Sequence, residues 1–188
     1  MNTDILVYDI ETTGFPEWHL PSNRTCQPHI VQIGAVLCDF ESREIIDDLD
    51  VIIRPDGWEI PGEASKIHGI TTEVALDTGI LERDAVQMLL NLSVDTTRVS
   101  HNRTFDQRII RIALSRYFKK PYRDKWAEKD DHECTMNMCG KFGCKTKKLA
   151  DAYRHFTGNE LEQAHSAISD AKACMEIYFA MTQPAFVE

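Results

Sequence analysis

The chain has 188 residues, with 30 Asp and Glu against 21 Lys and Arg, and its formal net charge is −9. This charge argues against a protein that coats duplex nucleic acid, because such binding depends on neutralising many phosphates, but an enzyme that grips a few nucleotides remains compatible. No apolar run reaches the roughly 18 residues of a membrane span, and residues 1–4 are not the basic start of a signal peptide, so we expect no membrane partner.

The patterning predicts one α/β domain over residues 1–188, long enough to bury a core. Alternating apolar residues predict strands around 5–7, 30–37, 44–54 and 94–100, the first three forming an antiparallel meander. Helical periodicity and end signals predict helices at 61–69, 81–92, 106–114, 147–156 and 164–181, with Thr71 or Thr72 capping a further turn. Two segments are predicted as loops: the proline-containing residues 15–29 and the charged, weakly periodic residues 119–133.

Two acids, Asp9 and Glu11, follow the first predicted strand at alternate positions. Because a strand has a side-chain period of two, both side chains emerge on one face. Neighbouring carboxylates repel and raise each other's pKa unless a cation lies between them. The pair therefore indicates either a metal site or, more plainly, an edge strand with solvated acids.

Three later residues could complete such a site. Asp106 lies in the first turn of a predicted helix, where the helix dipole favours an acid with or without a function. His165 lies where the chain enters the last helix, and its plainer interpretation is a histidine that hydrogen-bonds the backbone. Asp170 lies in a small, apolar stretch of that helix, and burying a lone carboxylate costs several kcal/mol unless it is paired or metal-bound.

Zinc is a separate possibility, because histidines and cysteines cluster in two places. The six cysteines are scattered, which suits reduced thiols, and their spacing matches no ordinary zinc pattern. A zinc-stabilised interaction domain nevertheless stays open as a hypothesis. The residues concerned are His19, Cys26 and His29 in the first loop, and His132, Cys134, Cys139 and Cys144 later in the chain.

The segments D-I-E-T-T-G, H-N-R-T-F-D and H-S-A-I-S-D-A, in that order, resemble the three motifs of the DEDDh exonucleases. This is the family of the proofreading epsilon subunit of bacterial DNA polymerase III, ribonuclease T and oligoribonuclease. The segments 30–35, 67–71 and 148–150 also look like family segments, and the resemblance extends from Asp4 to about Met181. A histidine five residues before the last Asp is similar to the h-type branch.

The resemblance implies a ribonuclease H-like fold, with a central mixed β-sheet of about five strands flanked by helices. It also implies two divalent cations, Mg²⁺ or Mn²⁺. Asp9 would bridge both ions, Glu11 and Asp170 would complete the first, and Asp106 would support the second. His165 would be the general base, for which the imidazole reference pKa of about 6.5 is suitable.

The implied substrate contacts are less specific than the metal ligands. Thr12 and Thr13 would contact the terminal 3′-hydroxyl, Ile67 and His68 the terminal bases, and Asn102 and Phe105 the sugar and backbone. For Ile67 and Phe105, core packing is an equally good interpretation. Two departures from the family, the long segment 15–29 and Arg103 in place of a small residue, bear on substrate access.

The implied activity is 3′→5′ release of nucleoside 5′-monophosphates from single-stranded ends, with DNA favoured over RNA. A 3′→5′ exoribonuclease is the alternative, and an inactive end-binding module is less supported because none of the five residues is missing. A polymerase partner and a homodimer both stay open, although the short stretch after Met181 favours a free-standing enzyme. The expected location is the cytoplasm, bacterial or that of a virus-infected host.

Overall fold

The computed structural model describes residues 4–128, 130–162 and 165–182. Within these ranges lie five β-strands and eight α-helices. The strands are β1 Asp4–Thr12, β2 Ile30–Asp39, β3 Ile45–Ile52, β4 Thr97–Ser100 and β5 His132–Cys134. The helices are α1 Gly62–His68, α2 Thr72–Thr78, α3 Glu82–Leu92, α4 Arg103–Tyr117, α5 Lys120–Trp126, α6 Thr135–Met138, α7 Leu149–Thr157 and α8 Ala167–Thr182, with a 3₁₀ turn at Cys139–Phe142.

The strands form one mixed sheet in the order β3-β2-β1-β4-β5. β1 pairs antiparallel with β2, and β2 with β3, so the predicted meander is confirmed. β4 and β5 join on the other side as parallel neighbours. β1 is therefore the central strand, and whatever follows it lies in the middle of one end of the sheet.

The two faces of β1 pack against different helices. Leu6, Tyr8 and Ile10 belong to the buried cluster that includes residues of α3 and α4, whereas Ile5 and Val7 belong to the cluster formed with α8. Side chains alternate along a strand, so Asp9 and Glu11 continue the face that α8 covers. The predicted common face of the two acids follows from this packing.

The first turn of α8 lies against the backbone of β2 at Gly34, which pairs with Asp9 across the sheet. A Cβ atom at Gly34 would lie 2.1 Å from the carbonyl carbon of Ala167, so a side chain cannot fit there. Gln32, two residues earlier, accepts a hydrogen bond from the Ala167 backbone N–H at 3.1 Å. Its amide nitrogen donates to Asp50 at 2.7 Å. These contacts fix where α8 begins, relative to β1.

The prediction of a loop over residues 119–133 is wrong, because this segment contains α5 and leads into β5. Trp126 is the buried residue of α5, and the other side chains of this seven-residue helix leave no apolar stripe to detect. β5 has three residues, with His132 and Cys134 buried, and is shorter than a recognisable alternating pattern. The other predicted elements are confirmed with small shifts in their ends.

The last helix begins at Ala167, and the predicted start at Ala164 lies outside the described residues. Residues 1–3 and 183–188 lie outside them as well, so the single domain over 1–188 stays a prediction. Within the described ranges, no helix combines the length and apolar character that crossing a membrane would need.

We predict that Gly34→Ala lowers the free energy of unfolding by at least about 3 kcal/mol, because the new methyl group meets backbone that cannot move without displacing α8. Urea denaturation measures this loss. Gly62→Ala is the matched control, since a Cβ at Gly62 meets nothing within 4 Å and the residue opens α1. Equal stability of the two variants would contradict the tight approach of α8 to β2.

Candidate active site

Residues of the first and third sequence motifs meet at the end of β1. Glu11, near the end of the strand, His165, before α8, and Asp170, in the first turn of α8, come together there. One ligand atom from each of these three side chains lies within 4.8 Å of the other two. Residues 154 positions apart in the sequence are thus within reach of one ion or one water molecule.

His165 reaches this position through an unusual backbone conformation. Its φ is 69°, in the left-handed region that non-glycine residues seldom occupy. Its backbone N–H donates a hydrogen bond to Oδ2 of Asp170 at 3.2 Å. This bond uses the backbone of His165 and not its imidazole, one nitrogen of which lies within 4.8 Å of ligand atoms of Glu11 and Asp170.

Asp9 and Asp106 belong to the same electrostatic cluster. Burial raises the pKa of Asp9 well above its ordinary value, and Asp106, Asp170 and Glu11 raise it further. Burial also raises the pKa of Asp106, and Glu11 adds to this effect, while hydrogen bonds from backbone N–H groups oppose it. Asp9 thus interacts electrostatically with the other three acids, and Asp106 interacts with both Asp9 and Glu11.

The other two acids are perturbed in the same direction. Burial and then Asp170 raise the pKa of Glu11 to about 7. Burial raises the pKa of Asp170, although His165 partly opposes the rise. Without a cation, the site therefore carries more carboxyl groups than it can hold ionised at neutral pH.

These residues fit a hard divalent cation such as Mg²⁺ or Mn²⁺. The donor set consists mainly of carboxylate oxygens, which these ions prefer. Oδ1 of Asp170 is buried and has no hydrogen-bond partner among the described residues. A buried carboxylate oxygen without a partner, close to Glu11, is suited to a bound cation.

The turn after β1 is built by the two threonines that were predicted to contact the substrate. Thr12 Oγ1 donates to the Gly14 carbonyl at 2.8 Å, and Thr13 Oγ1 accepts from the His29 backbone N–H at 2.9 Å. Both hydroxyls thereby hold the turn and close the 15–29 loop. Their contact with a terminal 3′-hydroxyl stays a prediction.

The predicted base-contacting residues differ in exposure. Ile67 is 58% exposed, so core packing is the wrong interpretation of that residue. Phe105 packs partly against the core and also meets Phe15 edge to face, with ring centroids 5.9 Å apart. Burial lowers the pKa of His68, the Thr12 backbone opposes this, and His165 lowers it further. His68 therefore lies near both Thr12 and His165.

Asn102 occupies the N-cap position of α4, is exposed and makes no capping hydrogen bond with its side chain. Its amide is thus free for another contact. His101, immediately before it, is buried instead, with Nδ1 2.9 Å from Thr135 Oγ1 and Nε2 3.1 Å from the Lys147 carbonyl. These two contacts of His101 fix the start of α4 and hence the position of Asp106.

Sequence reasoning missed several residues that shape the site. Phe15 is 82% exposed beside the Thr12–Gly14 turn, and a large aromatic directly after that turn was the signal available for it. Gln32 and Gly34 act through tertiary contacts with α8, for which the sequence carries no local signal. His101 lies inside the second motif, but its role is to hold the start of α4 in place.

The zinc hypothesis gains no support. Among the described residues, the group formed by Glu11, His165 and Asp170 is the one cluster of three or more His, Cys, Asp or Glu side chains close enough to share an ion. His29 instead hydrogen-bonds Glu82 at 2.9 Å and stacks on Trp58. The cysteines of the described residues are free thiols.

Comparison with known proteins assigns the family. The exonuclease family profile, RNase_T, matches residues 6–178. The chain belongs to the exonuclease family. The DNA polymerase III epsilon subunit of Buchnera aphidicola is 31% identical over 189 residues, which cover 94% of this chain and 72% of that protein. The epsilon subunit of Treponema pallidum is 28% identical, covering 93% and 74%.

Solved structures share the fold of this exonuclease. Escherichia coli exonuclease I bound to a dT13 oligonucleotide aligns with a TM-score of 0.74 at 21% identity, over 94% of this chain and 40% of that one. The nuclease domain of 3′hExo, a DEDDh family member bound to rAMP, aligns with a TM-score of 0.72 at 17% identity, over 96% and 92%. The predicted ribonuclease H-like fold and the enzyme class, a 3′→5′ exonuclease, are confirmed.

The raised pKa of Glu11 gives the metal-free exonuclease a distinct pH dependence. Between its ordinary value of 4.5 and about 7, the carboxyl binds more protons in the folded than in the unfolded state. The free energy of unfolding therefore falls as pH rises through this window, by up to about 3 kcal/mol. We predict that Glu11→Gln matches the wild type at the low end and exceeds it in stability above the window.

Urea denaturation in EDTA across this pH range measures the difference. Added Mg²⁺ should reduce or reverse the difference at neutral pH, because the ion stabilises the ionised wild-type site by mass action. A constant offset between the two proteins at every pH would contradict the assignment of Glu11 to a crowded, cation-requiring cluster.

Proposed function

We propose that this exonuclease removes nucleoside 5′-monophosphates from single-stranded 3′ ends, and that DNA is its preferred substrate. The observation that carries the proposal is the meeting of Glu11, His165 and Asp170 within 4.8 Å, with Asp9 and Asp106 in the same electrostatic cluster. Acids and one imidazole around a single point are what hydrolysis of a phosphodiester requires.

The four acids would hold the cations. Glu11 and Asp170 would hold one Mg²⁺ or Mn²⁺ ion, Asp106 would hold a second, and Asp9 would contribute to both. When bound, such a pair lowers the pKa of water and stabilises charge on the scissile phosphate. The unpartnered Oδ1 of Asp170 and the raised pKa of the Asp9 carboxyl support a cation site formed by these acids.

His165 would act as the general base. Its imidazole takes a proton from water, the water oxygen forms a bond to phosphorus, and the bond from phosphorus to the 3′-oxygen breaks, with a solvent proton completing the leaving hydroxyl. The residue is exposed, so the accepted proton can pass to solvent. Its backbone bond to Asp170 keeps the ring beside the acids.

The preference for unpaired ends follows from the apolar surface beside the acids. Phe15 and Ile67 are exposed, and Phe105 contacts Phe15. Aromatic and apolar side chains stack on unpaired bases whatever their sequence, whereas paired bases would first have to separate. Asn102 has a free amide for the sugar or the backbone, and the turn at Thr12 and Thr13 would face the terminal hydroxyl.

The similarity to polymerase III epsilon subunits favours DNA and suggests a polymerase as the partner class. The fold shared with 3′hExo, whose structure holds rAMP, supports a 3′→5′ exoribonuclease as the second candidate. A module that binds ends without cutting them is the third, and it would require the five polar residues to be assembled for no reaction.

Digestion of end-labelled oligonucleotides, DNA and RNA, single- and double-stranded, with Mg²⁺ and with Mn²⁺, tests the proposal. We expect mononucleotide release that is fastest on single-stranded DNA and absent in EDTA. RNA cleaved faster than DNA would favour the second candidate, and binding without cleavage the third.

Two variants test the assigned roles. Asp9→Ala should abolish cleavage, and His165→Ala should lower kcat by about 10²–10⁴-fold, the usual contribution of a general base. Tyr122→Ala is the control, because Tyr122 is exposed and lines a cavity beside Thr97 and Arg98, at the opposite end of β4. Cleavage by Asp9→Ala at the wild-type rate would contradict the mechanism.

A further inference from the structure

The loop formed by residues 15–29, here called the arm, is held in one conformation by a buried amide. Gln27 is 2% exposed, and its Oε1 accepts from the Glu17 backbone N–H at 3.0 Å. Its Nε2 donates to the carbonyls of Glu17, Leu20 and Pro21 at 3.0, 3.3 and 3.2 Å. A satisfied buried amide that joins both halves of a loop gives the loop a fixed shape.

Helix α4 fixes the arm from outside. Arg108 donates to the Leu20 carbonyl, and also to Ser22 Oγ at 2.9 Å. Arg116 lies two turns further along the same side of the helix. It donates to the carbonyl of Gln27 and to that of Pro28 at 2.9 Å. The arm therefore lies along α4, and it is not a mobile excursion.

The buried acid Glu82 completes the far end of this attachment. Its carboxylate accepts from the backbone N–H of Ile30 at 3.0 Å and from the hydroxyl of Tyr117 at 2.8 Å. It also pairs with Arg116 at 3.3 Å and lies 2.9 Å from Nδ1 of His29. Such a network of bonds to one buried carboxylate strengthens the junction between the arm and α4.

The site end of the arm carries two exposed aromatic side chains. Phe15 is 82% exposed and Trp18 is 53% exposed, and Trp18 lies in the turn that the Leu20 N–H to Glu17 carbonyl bond closes. Phe15 contacts Phe105, and Leu20 is anchored one helical turn later at Arg108. Trp18 is thus held between the active-site end of α4 and its next turn.

Charge does not account for this surface. Residues 15–29 contain one Glu, one Arg and two His, so the arm is nearly neutral. Glu17, beside Trp18, lies 3.7 Å from Nδ1 of His19. An arm of this composition does not attract phosphates, whereas a half-exposed indole on a rigid backbone is suited to a nucleobase face, because little conformational freedom is lost on stacking.

We propose that Trp18 stacks on a nucleobase upstream of the two terminal nucleotides and so sets the length of single strand that the enzyme binds. Three residues span at most about 10 Å, and successive bases in a stacked strand lie about 3.4 Å apart. A strand that contacts Phe15 with its last bases would therefore meet Trp18 within about two or three further nucleotides. This inference rests on the proposed function, since it places the 3′ end at Asp9 and Glu11.

Steady-state kinetics on DNA substrates of two lengths test the inference. For a decanucleotide, we expect Trp18→Ala to raise KM about tenfold with kcat unchanged, because one base stack is lost. For a dinucleotide, which is too short to reach Trp18, KM should be unchanged. Trp18→Phe should restore most of the decanucleotide KM, and the tenfold ratio should be the same at low and high ionic strength.

Three controls separate this role from others. Tyr122→Ala, which removes an exposed aromatic elsewhere, should behave as the wild type on both substrates. Gln27→Ala, which loosens the arm, should raise the decanucleotide KM more than the dinucleotide KM. Intrinsic fluorescence in EDTA should fall when the decanucleotide is added to the wild type, and this fall should be much smaller in Trp18→Phe, since Trp126 is buried and Trp58 is partly buried and stacked on His29.

A decanucleotide KM that is unchanged in Trp18→Ala would overturn the inference, as would an equal rise on the dinucleotide. Neither result would affect the proposed function, which stands on decanucleotide hydrolysis by the wild type. Absence of that hydrolysis would instead overturn the proposed function itself.

Discussion

The structure depends on holding four carboxyl groups close together at the end of one central strand. Asp9 and Glu11 lie on β1, Asp106 on α4 and Asp170 on α8. Each of them raises the pKa of another of these acids or has its own pKa raised by one. This arrangement is unfavourable without a cation, so it persists only because the surrounding packing over-determines it. Two parts of the fold hold the acids in this arrangement: the close approach of α8 to Gly34 and the contacts of His101 at the start of α4.

The same constraint explains why a site of this kind stores free energy that metal binding can release. Protonation relieves the repulsion at low pH, and a divalent cation relieves it at neutral pH, where the acids must be ionised to act. A cation bound beside Oδ1 of Asp170, which has no hydrogen-bond partner among the described residues, would provide this relief. The repulsion that lowers the stability of the metal-free protein at neutral pH is therefore the same repulsion that raises its affinity for the cation.

The features of the structure that could be predicted from the sequence are those encoded in local residue patterns. The period of two placed Asp9 and Glu11 on one face, and the resemblance of the motifs to the exonuclease family predicts that Asp106, His165 and Asp170 lie with them. Of these three, His165 and Asp170 have ligand atoms within 4.8 Å of Glu11. β5 and α5 were missed because three residues in one and seven in the other carry too few apolar positions for a period to show. Gly34 could not be recognised at all, because its role depends on backbone more than 130 residues away.

The arm illustrates how an acidic protein can bind an acidic polymer. Its net charge of −9 opposes long-range attraction, so affinity has to come from short-range contacts near the 3′ end. A loop whose prolines suggested irregular, mobile chain is instead locked by Gln27 and by two arginines of α4. The positive side chains of this region hold the protein's own backbone, which leaves the exposed aromatic rings to meet the bases. Binding that relies on stacking in this way would select unpaired ends and be indifferent to sequence, as the proposed removal of one nucleotide after another requires.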